Sequence, residues 1–379
     1  MISKDSRFFR STSVLIGTIV GAGIFGLPYA FAQSGFLIGM AYLAVMAVLF
    51  FLINLCYAEV ILRTHEKLEI AGYAEKYLGK KGKVLITISL ILGIFSALIA
   101  YTIGVGEFLD ALLTPVIGGS PFIWSLVFWA LASSLILKGI GIVSRLEAGM
   151  TLFLMAVVIF VFFQAWPYVQ IENLKTIYWS KFLFPYGAVL FSMCGAVAIP
   201  TMRRILGDQA HLLKKSLALG MIIPIIIYVL FCFAIVGVTG VNTSETALIG
   251  LKAVTGGKAI LVGGIFGILA MTTSFLALGY FLRELFYKDY KFPLIGAWLI
   301  TVGVPLIFFI LGLRSFIRVI AFAGGTLSGF QGIVLLMTYY QAKKKGERQP
   351  EFKINLPRLL AYFIYLVLFF GIVYQFIHI

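Results

Sequence analysis

Charge is scarce in this sequence. Of its 379 residues only 12% are charged while 61% are hydrophobic, and a soluble domain of that length carries about a quarter charged residues. So little charge cannot cover a water-exposed surface, which excludes a soluble globular fold. Acidic residues are scarcer than basic ones, 15 against 30, for a net charge of +15. Such an excess can indicate nucleic acid, but here Lys and Arg fall in short clusters between apolar runs, where a topology signal places them. No nucleic-acid partner is expected. Histidine is limited to His65, His211 and His378, scattered over loops and ends. Without a cluster of His, Asp or Ser–His pairs, and without metal-ligand spacing, an intramembrane enzyme or a cofactor is not expected. The cysteines Cys56, Cys194 and Cys232 all lie inside apolar runs, and read as free thiols packed as small hydrophobes. A selectivity loop or a ring of like charge is also missing, which argues against a channel.

What the sequence does have is length of apolar run. Crossing a bilayer core takes roughly 20 apolar residues at a rise of about 1.5 Å each. Eleven such segments are predicted, at about 11–36, 39–62, 84–112, 121–138, 149–168, 182–201, 216–239, 259–284, 292–312, 316–340 and 357–377. The longest connections, near 63–83, 240–258 and 341–356, are too short for a soluble domain. One all-α integral membrane domain over residues 1–379 is therefore expected, with the lipid bilayer as its surroundings. Aromatic pairs such as Trp166/Tyr168 and Tyr178/Trp179 fall near segment ends, as interfacial belts do.

Loop charge sets the orientation. With the N-terminus inside, 24 of the 30 basic residues fall on inner connections, among them Arg63, Lys76, Arg203, Lys215, Lys343 and Arg358. The outer connections keep six: Lys175, Lys181, Lys252, Lys258, Arg314 and Arg318. A four-to-one bias supports the segment count too, since one missed helix would invert everything after it. The expected topology is N-terminus cytoplasmic and C-terminus outside. The N-terminus mimics a signal peptide, with Lys4, Arg7 and Arg10 before an apolar run ending Ala30-Phe31-Ala32. Its length, its glycines and Pro28, and the spanning segment that follows at once favour a retained helix.

Two segments are interrupted. The first carries Gly21-Ala22-Gly23-Ile24-Phe25-Gly26-Leu27-Pro28; the sixth carries Phe191-Ser192-Met193-Cys194-Gly195-Ala196 and ends at Pro200. Each glycine costs a helix about 1 kcal/mol relative to alanine. A break in lipid is tolerated only where it faces protein or a water-filled cavity. The two lie five segments apart, so they enter from opposite sides. Matching interruptions in two inverted halves are the best sequence pointer to a transporter site. Segments 1–5 (about 11–168) and 6–10 (about 182–340) would be the halves, and segment 11 (about 357–377) an addition. At such breaks freed amides suit a carboxylate and freed carbonyls suit an ammonium group or a metal cation. A zwitterionic amino acid needs both. Gly324-Gly325 and Gly329 in segment 10 read mainly as helix packing.

Several strings resemble a known family. Gly17-Thr18-Ile19-Val20-Gly21-Ala22-Gly23-Ile24-Phe25-Gly26-Leu27-Pro28, followed by Gly35-Phe36, is similar to the first helix of bacterial aromatic and hydroxy amino acid permeases and of the related amino acid/auxin permeases. Asn54 to Arg63, Pro185 through Pro200, and Thr273-Ser274-Phe275-Leu276-Ala277-Leu278-Gly279 resemble their second, sixth and eighth helices. The resemblance implies membership of the amino acid-polyamine-organocation superfamily and a LeuT-like fold of 5+5 inverted repeats plus one helix. It implies an ion-coupled symporter working by alternating access, for aromatic or other neutral amino acids. By position it places substrate contacts at Ile19, Gly21, Ala22, Gly23, Phe191, Ser192 and Cys194, with Phe191 as an aromatic gate. A sodium site would take carbonyls of Gly17, Val20 and Ala270 and hydroxyls of Thr273 and Ser274, all hard oxygen ligands. The alternative for those hydroxyls is a bond back to the preceding turn. Proton-coupled relatives often carry a lysine on the fifth helix, and residues 149–163 here contain none. A proton would then need a buried carboxyl, with Glu59 and Glu107 as candidates; Arg63, one turn from Glu59, offers it an ordinary ion pair. An amino acid sensor on a transporter fold is one alternative. A polyamine or organic-cation carrier is another, and the lack of an acidic residue beside the breaks argues against it.

Overall fold

The structure, a computed structural model, describes residues 4–138, 143–251 and 258–378. Lys252, one of the six outer basic residues, lies outside them, as do the side chains of Lys4, Arg145 and Lys258. Helices make up nearly all of what is described. In chain order they are α1 (Lys4–Ile19), α2 (Gly23–Ser34), α3 (Phe36–Leu62), α4 (Ile70–Ile117), α5 (Pro121–Lys138), α6 (Val143–Ala165), α7 (Ile171–Lys175) and α8 (Pro185–Ser192). These continue with α9 (Ile199–Leu206), α10 (Leu213–Thr239), α11 (Lys258–Glu284), α12 (Leu294–Ile310), α13 (Phe316–Phe322), α14 (Gly329–Lys345) and α15 (Arg358–His378). Among the described residues seven helical stretches are long and apolar enough to cross a membrane, and an eighth if α1 and α2 count as one bent span. The predicted segments each fall on helix. The third is longer than its apolar run, because α4 starts at Ile70 and passes through Lys80, Lys81 and Lys83 after a break at Gly79 (φ 76°).

Small residues set the helix spacing, as expected where lipid supplies no hydrophobic drive for helix association. Gly187 of α8 sits against the Ala321 carbonyl of α13, and Gly324 against Gly187 and Phe191. Gly325 packs on Gln375 and Gly329 on Ile372 of α15, so this part of segment 10 is a packing surface. It is also π-helical over Ala323–Ser328, a wide turn frequent at functional sites. The last helix, α15, instead turns Leu359, Tyr362, Phe363, Leu366, Phe369 and Phe370 outward, as a lipid-facing helix must.

Contacts between connections sort into two ends. At one end the Glu347 and Arg348 amides donate to the Arg63 carbonyl, Arg204 pairs with Glu69, Arg7 pairs with Asp208 at 2.6 Å, and Arg283 donates to the Ile136 carbonyl at 2.6 Å. Lys76 bridges Glu66 (2.9 Å) and Glu347 (2.6 Å). That ammonium, with the His65 amide, holds the Glu347 carboxyl below the usual carboxylate range. At the other end the Tyr178 amide donates to the Ser34 carbonyl and the Gln170 amide to that of Gly237. There Glu245 accepts from Ser315 Oγ and the Ile317 amide at 3.0 Å each. Trp166, Tyr168, Tyr178 and Trp179 are all exposed on connections of this second end. The one-residue link at Gly35 (φ 104°) turns α2 into α3 there, against the backbone of Thr176 and Ile177.

Candidate functional site

Both predicted interruptions are present. Helix α1 stops at Ile19, Val20 to Ala22 are not helical, and α2 leaves at 51° to α1. Helix α8 stops at Ser192, and Met193 to Gly195 separate it from the 3-10 turn Ala196–Ala198 and α9. The breaks fall at the glycines of the predicted strings, while α2 continues through Pro28 and Pro200 stands in the first turn of α9, where a proline is tolerated.

The two breaks face each other. A Cβ placed on Gly23 would stand 2.5 Å from Ser192 Oγ and 2.9 Å from Ser192 Cα, so the chains touch at backbone distance. Ser192 Oγ is turned back on its own helix, donating to the Ala188 carbonyl at 2.8 Å. Ile19, Ala22, Gly23 and Ser192 are buried; Gly21, Phe191 and Cys194 are half-buried. All seven predicted substrate contacts therefore lie on the two interruptions. Phe191 packs against Gly324 of the π-helical turn.

Two tyrosines complete this region, and the sequence did not single them out. Tyr101 of α4 is buried, and a Cβ on Gly21 would lie 3.8 Å from its hydroxyl. Tyr228 of α10 is fully buried. Its hydroxyl lies 2.8 Å from the Ile19 carbonyl and 3.0 Å from that of Ser192. The signal available in sequence was a single hydroxyl within the otherwise apolar string Ile225 to Phe233.

The ion-coupling candidates are less closely gathered. Thr273 Oγ1 donates to the Ala270 carbonyl at 3.0 Å, and Thr272 Oγ1 to that of Ile268 at 2.6 Å, the back-bonding geometry of membrane helices. Helix α11 packs chiefly on α4 and α6, whereas Gly17 lies on α1 and Val20 on the break that follows it. Glu59 is wholly buried near the C-terminal end of α3. Its carboxylate pairs with Arg63 at 2.7 Å and accepts from the Ile354 amide at 2.5 Å, which fits a structural clasp. Glu107 of α4 accepts from Thr246 Oγ1 at 2.8 Å.

A family model matches residues 4–378, and it describes tryptophan/tyrosine permeases. The chain belongs to the tryptophan/tyrosine permease family. Among its relatives, the permease is 25% identical to tyrosine-specific transport system 1 of Haemophilus influenzae, over 90% of this chain and 89% of that protein. It is 24% identical to glutamine transporter 2 of Aliivibrio fischeri, over 84% of each. The solved structure of MhsT in complex with L-phenylalanine superposes with a TM-score of 0.62, covering 98% of this chain and 97% of that one at 15% identity. The permease thus has the LeuT-like fold, is an integral membrane protein of amino acid transport, and is not an enzyme.

Proposed function

We propose that this permease is a secondary active transporter that binds one amino acid at the paired interruptions and carries it by alternating access, coupled to a cation. The observation that carries the reading is the meeting of the breaks, with Gly23 at backbone distance from Ser192. In this reading the ammonium group takes carbonyls at the C-terminal ends of α1 and α8, from Ile19, Phe191 and Ser192. The carboxylate takes the amides of Ala22 and Gly23, next to Gly21, where the positive end of α2 favours it. Each charge-assisted hydrogen bond contributes about 1.5–3 kcal/mol, so several are needed to offset desolvation of both charges. Phe191 would cover the side chain, and Cys194 would lie beside it. An aromatic or other neutral amino acid fits this lining and the substrates named for the relatives.

The architecture fits two inverted repeats, about 11–168 and 182–340, plus a last helix near 357–377. Connections alternate between two ends, and the basic ones converge on the end holding Arg7, Arg63 and Arg204, which supports a cytoplasmic N-terminus and an outer C-terminus in a bacterial inner membrane. For the ion, sodium would use carbonyls of Gly17, Val20 and Ala270 with Thr273 and Ser274. A proton would need Glu107, since Glu59 is held in its ion pair. One charge per substrate gains about 2.3 kcal/mol per 100 mV, enough for roughly fifty-fold accumulation.

The test is a screen of amino acids in proteoliposomes with sodium and proton gradients imposed separately. Uptake driven by one of them is expected, and no concentrative uptake of any amino acid would sink the reading. Under sodium coupling, Thr273→Ala should raise the half-saturating sodium concentration about ten-fold, the loss of about one ligand worth 1.4 kcal/mol. Under proton coupling the same variant leaves uptake and its pH dependence near wild type.

A further inference from the structure

Among the described residues the Tyr228 hydroxyl is the one side-chain group hydrogen-bonded to both interruptions. It sits 2.8 Å from the carbonyl that ends α1 and 3.0 Å from the carbonyl that ends α8. Those carbonyls come from positions 209 and 36 residues away in the chain, so no local turn forces the meeting. The tyrosine itself is fully buried on α10, which packs along α1, α2 and α3. The Ile19 carbonyl also accepts from the Gly21 amide at 3.0 Å, so its direction is fixed from two sides. A phenol has one proton to share between two acceptors, and the two carbonyls are held a set distance apart around it. Buried polar groups with a shared partner fix geometry more firmly than packing alone.

We infer that Tyr228 is a positioning residue for substrate recognition: it ties the C-terminal ends of the two interrupted helices together and so sets the carbonyl spacing that receives the ammonium group. This rests on the proposed transport function. It assigns no contact between Tyr228 and substrate. The tyrosine acts through the Ile19 and Ser192 carbonyls. The consequence is specific. Loss of the hydroxyl should damage recognition of the amino end of the substrate and leave recognition of its side chain intact.

Tyr228→Phe tests this, because it keeps the ring that fills the core and removes only the hydroxyl. The KM for the preferred amino acid should rise about ten-fold, the size of one buried hydrogen bond, with the maximal rate within about two-fold. A merely structural role would raise KM for all substrates alike. Each variant is therefore also assayed with the N-methyl form of the same amino acid, whose ammonium has one proton fewer. The wild-type preference for the unmethylated form should narrow several-fold in Tyr228→Phe. Substrate-induced stabilisation against thermal unfolding in detergent gives the same comparison should the variant bind without transporting. An unchanged or lowered KM, or an unchanged preference between the two forms, would overturn the inference while leaving the transport reading standing. A wild type that takes up neither form, nor any other amino acid, would overturn both.

Discussion

Gly23→Val is expected to reduce uptake by at least about 100-fold while the protein still inserts and purifies as a single species. A Cβ alone at this position meets Ser192 Cα at 2.9 Å. That neighbour is backbone and cannot rotate aside, so the ends of α2 and α8 must move apart. Overpacking of this kind costs about 1–3 kcal/mol, modest for a whole bundle, yet the displacement falls wholly on the two breaks. The carbonyls and amides proposed to hold the substrate shift with it. Gly303→Ala is the matched control, since an added Cβ there meets nothing within 4 Å. Radiolabelled uptake together with size-exclusion and unfolding profiles reads both variants. Wild-type transport by Gly23→Val would remove the substrate site from the interruptions.

The second large effect is on stability. Glu59→Gln leaves the Arg63 guanidinium, only 12% exposed, without its carboxylate, and breaking one partner of a buried pair costs about 3–5 kcal/mol. At about 2–4 °C per kcal/mol for a large domain, the unfolding midpoint should fall by roughly 10 °C. The double variant Glu59→Met, Arg63→Met should recover much of that loss, because matched apolar groups bury without an orphaned charge. Ion dependence of the remaining uptake should be unchanged in Glu59→Gln. A variant of normal stability that had lost its proton dependence would instead make Glu59 the coupling carboxyl.

The first interruption was legible because it is written locally: three glycines and a proline in eight residues leave a helix few ways to continue. The second was fainter, since Ser192, Met193 and Cys194 are all tolerated in helices and only Gly195 and Pro200 mark the change. The start of α4 was not legible from hydropathy, because Lys80, Lys81 and Lys83 end the apolar run some fourteen residues after the helix begins at Ile70. Tyr228 and Tyr101 went unnoticed for a different reason. An aromatic in an apolar string reads as core, and what distinguishes these two is a hydroxyl set beside an interruption far away in the chain. Periodicity carries no information about such partners. Gly324 and Gly325 read as packing residues and pack as expected, but the π-helical turn they sit in has no comparable sequence mark.

The fastenings at the basic end differ greatly in strength. Arg7–Asp208 and Arg204–Glu69 lie at the surface, where an ion pair contributes about 0–1 kcal/mol and salt screens it over roughly 8 Å. Glu59–Arg63 is strong but joins two residues of the same helix end, so it can stay closed while neighbouring helices separate. Swinging α1 away from α9 and α10 would therefore meet its chief resistance where Leu15 is wedged against Gly195 and Gly220. The hinge of such a door would be greased by glycine rather than latched by charge, and its opening rate should respond to a methyl group far more than to ionic strength.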